Sequence, residues 1–282
     1  KYNNIKKIIL LSRGNLKIDD LQDYQKKLRI THIYADISKL KIIPYADYII
    51  YSVISSDYKN YYEGVCNYYR LAKKYHFESK ILYVSSGAVY GQQPKKLKRI
   101  KENYLLRYKR INFINRDKNN YALIKLKNEE IFKKLSDLNI KVSIARCFAF
   151  VGKHLPRDKN FVVGNFINDI LNNNKIEVKS NYHVERSYMH EYDLAKWLLR
   201  IVKNANTNCP IYNVGSDDRI NIRKLGLYLS KKYKLDYKFS KLKSNYVDRY
   251  IPSVTKAKKN LKLNISYKSK ESVDKVINSL KF

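Results

Sequence analysis

The chain has 282 residues, with 58 Lys and Arg against 25 Asp and Glu, a formal charge of +33, and 44% hydrophobic residues. That length and hydrophobicity allow a large core, which excludes a mini-protein that needs staples and a chain that stays disordered. No apolar run approaches the roughly 20 residues of a membrane span, and the polar opening Lys1-Tyr2-Asn3-Asn4 is not a signal peptide, so a cytoplasmic protein without a membrane partner is expected.

In chain order, Ile8–Leu11 reads as a strand, Asp19–Leu28 as a short helix, Ile30–Tyr34 as the next strand and Asp47–Val53 as another. A helix follows, capped by Ser56 or Asp57. Its Tyr61, Val65, Tyr68, Tyr69 and Ala72 recur at three- and four-residue steps and form one buried stripe. Lys80–Ser85 returns as a strand, Asn120–Leu138 is a second long helix, and Lys141–Ala145 is the strand after it. This alternation predicts an α/β fold with a parallel sheet. Past residue 150 the rhythm loosens: Gly152, Pro156 and Gly164 punctuate a loop, with helices near Phe166–Leu171 and Tyr192–Val202. A smaller second lobe is expected there, sharing an interface with the first, because no low-complexity linker divides the chain.

The charge does not identify a partner by itself. Lys, Asn, Ile and Tyr, whose codons are richest in A and T, are all abundant, and the lysines are dispersed, as at Lys26-Lys27, Lys73-Lys74, Lys95-Lys96 and Lys258-Lys259. A nucleic-acid surface clusters its charge beside stacking aromatics, so no nucleic-acid partner is expected. Cys66, Cys147 and Cys209 lie far apart, and His32, His76, His154, His183 and His190 include no i, i+4 pair, which points to chemistry without a disulfide framework or a metal.

Two segments carry chemistry. Tyr121-Ala122-Leu123-Ile124-Lys125 sets a phenol and an ammonium one helical turn apart, where the cation would favour the phenolate and suit the oxygen to acid–base work. The spacing alone discriminates little in a chain with 27 tyrosines, since Tyr69/Lys73 and Tyr237/Lys241 share it. The second segment, Tyr83-Val84-Ser85-Ser86-Gly87, is a strand that ends in two hydroxyls and turns at glycine. Ligands of open α/β sheets bind outside the carboxyl ends of the strands, which is where Ser85 and Ser86 fall.

Tyr34-Ala35-Asp36, Arg146-Cys147-Phe148, Arg186-Ser187-Tyr188-Met189-His190 before Asp193-Leu194-Ala195, and Tyr212-Asn213-Val214-Gly215 extend the pattern in order. With these the sequence resembles, over nearly its whole length, the extended short-chain dehydrogenase/reductases, the NAD-dependent epimerase/dehydratase family acting on nucleotide sugars. The resemblance implies a Rossmann-like doubly wound parallel sheet, with residues 1–150 as the NAD(P)-binding domain and 151–282 mainly as a substrate lobe. It also implies a homodimer in a pathway supplying surface polysaccharide. It gives Ser86 the reacting sugar oxygen and Tyr121 its proton. Lys125 lowers the tyrosine pKa and holds the nicotinamide ribose, Asp36 lies beside the adenine, and Asn165, Arg186 and Arg249 hold the nucleotide diphosphate.

Two departures shape the expectation. The family opens with a strand and a glycine-rich turn that cradles the cofactor pyrophosphate. The glycines here, at 14, 64, 87, 91, 152, 164, 215 and 226, make no such cluster. Ile8–Leu11 therefore resembles the family's second strand, and the first strand and its turn are expected to be missing from this chain. At the end of that second strand stand Ser12 and Arg13, which can hydrogen-bond a 2′-phosphate, so the expected cofactor is NAD or NADP with a lean to NADP. The family's dehydratases carry an acidic pair after the catalytic hydroxyl, where this chain has Gly87 and Ala88, and Ala149 replaces a frequent Asn. An epimerase or keto-sugar reductase is expected before a dehydratase. The alternative is an inactive relative that serves as a binding or scaffold module.

Overall fold

The computed structural model describes residues 5–14, 29–104, 111, 116–157 and 161–281. The helix predicted at Asp19–Leu28 lies outside the described residues. In the first half, strands β1 (Lys7–Ser12), β2 (Arg29–Tyr34) and β3 (Tyr48–Tyr51) precede helix α1 (Tyr58–Tyr75). Strand β4 (Lys80–Ser86), a 3₁₀ turn (Gly87–Tyr90), helix α2 (Arg116–Ser136) and strand β5 (Lys141–Cys147) complete it. The second half runs β6 (Phe150–Val151), α3 (Val162–Leu171), β7 (Ile176–Val178), β8 (His183–Arg186), β9 (Met189–His190), α4 (Glu191–Lys203) and β10 (Ile211–Val214). It closes with β11 (Ile220–Asn221), α5 (Ile222–Tyr233), β12 (Tyr237–Phe239), β13 (Val247–Tyr250), α6 (Thr255–Leu261) and α7 (Ser269–Lys281).

The central sheet has the order β10-β5-β4-β3 and is parallel throughout, while β1 and β2 form a separate parallel pair. Alternation along β4 sends Ile81 and Tyr83 to one face and Leu82 and Val84 to the other. On the first face α1 and α2 bury Tyr61, Val65, Tyr68, Leu71 and Phe132 against Tyr51 and Tyr83. On the second, α4 and α6 bury Trp197, Ile201 and Ala257 against Leu82, Ala145 and Tyr212. With helices on both faces, this is a doubly wound α/β sheet. Each large side chain so buried contributes roughly 1.5–3 kcal/mol relative to exposure. Since β10 pairs with β5 (Tyr212 opposite Ala145), the chain returns to the first sheet after entering the second lobe.

Helix ends follow the capping chemistry. Asp57, not Ser56, caps α1: its Oδ1 accepts the backbone N–H groups of Lys59 and Asn60, each at 3.1 Å. The structure ends α2 two residues before the predicted Leu138, and Asn139, with a φ of 62°, turns the chain back into β5. In the second lobe, β8 lies between antiparallel β11 and parallel β13, and α3, α5 and α7 share a core around Phe166, Leu225 and Val276. No helix among the described residues is long and apolar enough to cross a membrane.

Candidate functional site

The two serines that end β4 part company. Ser85 turns inward and donates to Glu129 Oε1 at 2.6 Å, so it is a structural hydroxyl and not the ligand group the sequence suggested. Ser86, on the opposite side of the pleat, is buried and caps the 3₁₀ turn, its Oγ accepting the Ala88 backbone N–H at 3.2 Å. Its hydroxyl lies 3.3 Å from the Tyr250 hydroxyl. Ser86 pairs in register with Cys147, so the site forms where β4 and β5 end together.

Tyr121 and Lys125 occupy one face of α2, as their spacing predicts. Lys125 is buried, donates from Nζ to the Val84 carbonyl at 2.9 Å, and lies 5.2 Å from the centres of the Tyr61 and Tyr83 rings and 5.9 Å from that of Tyr121. Burial lowers its pKa to about 8, against the opposing pull of Cys147 and Glu129. The expected lowering of the tyrosine is reversed: burial holds the Tyr121 phenol above its ordinary value, and the Ser86 hydroxyl only moderates the rise. The reason is that a phenolate there loses more hydration than the surrounding groups return.

Just past β2, Asp36 accepts from the Ser38 backbone N–H at 2.9 Å and from the Ser38 hydroxyl at 2.8 Å. Arg13 lies 3.7 Å away. Burial pushes the Asp36 carboxyl up, but the Ser38 and Asn60 hydrogen bonds and the Arg13 charge outweigh it and hold it below the ordinary range. Ser12 donates to the Gly14 carbonyl and lies 2.7 Å from His32 Nε2. A continuous rim leads from here to Tyr121. Asn60, in the first turn of α1, reaches Asp36 at 3.5 Å, and Tyr58, in the same turn, donates to the Asp117 carbonyl on α2 at 3.3 Å.

The predicted diphosphate groups are not brought to one face. Arg186 donates from Nη1 to the Glu185 and Asp248 carbonyls, both at 2.9 Å, and from Nη2 to Asp248 Oδ2 at 2.6 Å. It pairs in register with Tyr250 and so shares the face that meets Ser86. Arg249, one residue earlier on β13, points to the other face, where it donates to Glu185 Oε2 and the Lys95 carbonyl, each at 2.6 Å. Asn165 stands exposed on α3 beside the buried Phe166. Sequence reasoning missed Tyr250, 164 residues from Ser86 along the chain, and Glu129, which follows Lys125 by one helical turn. Only the second left a local signal, a carboxylate on the buried stripe of α2.

Among the described residues no group of three or more His, Cys, Asp and Glu could hold a metal ion. A nicotinamide dinucleotide laid along this rim would have Arg13 and Asp36 near one end and Tyr121, Lys125 and Ser86 near the other. No described glycine forms a pyrophosphate cradle; Gly14, at the end of β1, has open space around it.

The family model described as the NAD dependent epimerase/dehydratase family matches residues 52–215. A sequence comparison with curated proteins gives no significant match. Among solved structures, the chain is similar to a dTDP-glucose 4,6-dehydratase from Bacillus anthracis in complex with NAD, at 15% identity and a TM-score of 0.79, covering 99% of this chain and 89% of that one. A UDP-glucose 4-epimerase from Thermotoga maritima with UDP-glucose aligns at 14% identity and a TM-score of 0.77, covering 98% of each chain. RMD from Pseudomonas aeruginosa complexed with NADPH aligns at 18% identity and a TM-score of 0.73, covering 98% of this chain and 100% of that one. At these identities the likeness is one of fold.

Proposed function

The chain belongs to the NAD-dependent epimerase/dehydratase family, and from that premise we propose that it is an enzyme interconverting nucleotide-linked sugars in the cytoplasm, as an epimerase or a keto-sugar reductase. A nicotinamide cofactor, when bound, supplies the hydride acceptor or donor. Ser86 holds the reacting sugar oxygen, and Tyr121 gives it a proton or takes one from it. The Lys125 ammonium, buried beside both, stabilises the phenolate whenever it forms.

The observation that carries this reading is the convergence at the carboxyl end of β4: Ser86 caps the turn there, Lys125 is anchored to the Val84 carbonyl at 2.9 Å, and the Tyr121 ring centre lies 5.9 Å from the Lys125 Nζ. The preference against dehydration rests on Gly87. A Cβ at that position would lie 2.6 Å from the Phe148 ring, so the space for a carboxylate side chain there is filled by an aromatic one. Arg186 is the residue we assign to the substrate diphosphate, since its register partner Tyr250 meets Ser86 and the guanidinium fork suits a phosphate. For the cofactor, the open position of Arg13 beside Asp36 supports a lean to NADP.

The test incubates the protein with UDP- and dTDP-linked hexoses and their 4-keto forms in the presence of NAD, NADP or their reduced forms, and follows the sugar protons by NMR. A change of configuration or reduction at one sugar carbon is expected. Sugar-nucleotide binding without turnover would overturn the enzyme reading in favour of a binding module.

A further inference from the structure

Beyond Arg186 the margin of the second lobe ends in two aromatic rings. β13 is an edge strand, in the order β11-β8-β13. Side chains alternate along it, so Tyr246, just before its first residue, shares a face with Asp248 and Tyr250, at steps of about 6.6 Å. Tyr250 lies 3.3 Å from Ser86 Oγ, and Asp248 takes Arg186 Nη2 at 2.6 Å. Opposite Asp248, Val184 is buried in the second-lobe core, whereas Tyr246, Asp248 and Tyr250 on the edge strand stay half-exposed.

Tyr246 is held from both lobes. Its carbonyl accepts the His183 N–H at 3.1 Å, which extends the ladder by one residue and sets Tyr246 opposite Tyr182. The two rings meet with centroids 5.4 Å apart and planes at 63°. Tyr182 packs against the second-lobe core, and Gln92, just after the 3₁₀ turn that Ser86 caps, donates from Nε2 to the Tyr246 hydroxyl. An edge-to-face contact orients a ring without covering both of its faces.

Outward from Ser86 this face offers hydroxyls, then a guanidinium, then aromatic rings. Hydroxyls suit a sugar, and the guanidinium fork suits a phosphate. A half-exposed ring suits a nucleobase, because every base has a π-face to stack. A sugar joined through a diphosphate to a nucleoside presents its groups in that order. We propose that Tyr246, backed by Tyr182, is the nucleoside-binding end of the site and stacks the base of a sugar nucleotide whose diphosphate lies on Arg186 and whose sugar lies at Ser86. The assignment rests on the reading of the chain as a nucleotide-sugar enzyme and adds to it the residues that hold the nucleoside.

The experiment titrates UDP and GDP, one pyrimidine and one purine, by calorimetry into the native protein, Tyr246→Phe, Tyr246→Leu and Tyr182→Leu. Inorganic pyrophosphate is measured as a competitor of the tighter nucleotide, and a thermal melt accompanies each variant. Tyr246→Leu is expected to weaken the nucleotide roughly 10- to 100-fold, the scale of one base–aromatic stack, and to leave the pyrophosphate constant unchanged. Tyr246→Phe keeps the ring and most of the affinity. Tyr182→Leu, which removes only the backing ring, gives a smaller loss in the same direction. Native affinity in Tyr246→Leu, or an equal loss for nucleotide and pyrophosphate, overturns the proposal and leaves the enzyme reading standing. A native protein that binds neither UDP nor GDP overturns both.

Discussion

Glu129 and Arg146 form a bidentate ion pair inside the protein: Nε to Oε1 at 2.9 Å and Nη2 to Oε2 at 2.7 Å, with side-chain exposures of 0% and 1%. The pair bolts α2 to β5 one helical turn beyond Lys125. Ser85 adds a hydrogen bond from β4, and Arg146 passes a further one to Tyr90, which donates to Asn213 on β10. The depth at which α2 presents Tyr121 and Lys125 to the end of β4 is set by this buried cluster.

Removing one charge from such a pair leaves the other without compensation. Glu129→Leu and Arg146→Met are each expected to destabilise the protein by about 3–5 kcal/mol, and the two together by less than either single change. Urea unfolding of the four proteins measures this; additive losses would mean that the two side chains act independently.

For Tyr121→Phe the expected result is a loss of turnover of roughly 10² to 10⁴-fold with little change in unfolding temperature, since the ring stays and only the proton-carrying oxygen goes. Steady-state kinetics beside a thermal melt checks it. Near wild-type turnover would remove Tyr121 from the proton-transfer role.

Lys125 has a pH signature. In the unfolded chain its pKa is the ordinary 10.5, and in the folded protein burial brings it to about 8. Between those values the unfolded chain holds the proton more tightly, so stability rises with pH across the window, and the cost of burying the ammonium is present in full below about pH 8. Relative to Lys125→Met, the native protein is expected to gain roughly 3 kcal/mol between pH 7.5 and 11. Taking the difference between the two proteins cancels the other lysines and tyrosines. A flat difference in denaturant midpoints would show that the lysine is not desolvated.

Arg13→Ala tests the cofactor. Against the Asp36 carboxylate, a 2′-phosphate needs the guanidinium, whereas a 2′-hydroxyl does not. The ratio of kcat/KM for NADP over NAD is therefore expected to fall by the equivalent of about 1.5–3 kcal/mol, the scale of a charged hydrogen bond. An unchanged ratio would detach Arg13 from cofactor choice.

The sequence by itself determined the elements whose signal is local. The period-two alternation of β4 and β5, the stripe on α1 and the Asp57 cap are written in consecutive residues, because side-chain direction repeats with the backbone. The Tyr121–Lys125 pair and the turn at Ser86 were legible for the same reason. Only the tertiary structure decided the rest. Two adjacent serines differ in role because the pleat sends one to Glu129 and the other to the Ala88 N–H and Tyr250. Arg186 and Arg249 look alike in sequence, but register on β8 and β13 puts them on opposite faces. Tyr250 reaches Ser86 because the second lobe folds back over the sheet. The direction of the Tyr121 shift depends on how much water burial removes from the phenol, a quantity set by everything packed around it and by nothing in its four-residue spacing to Lys125.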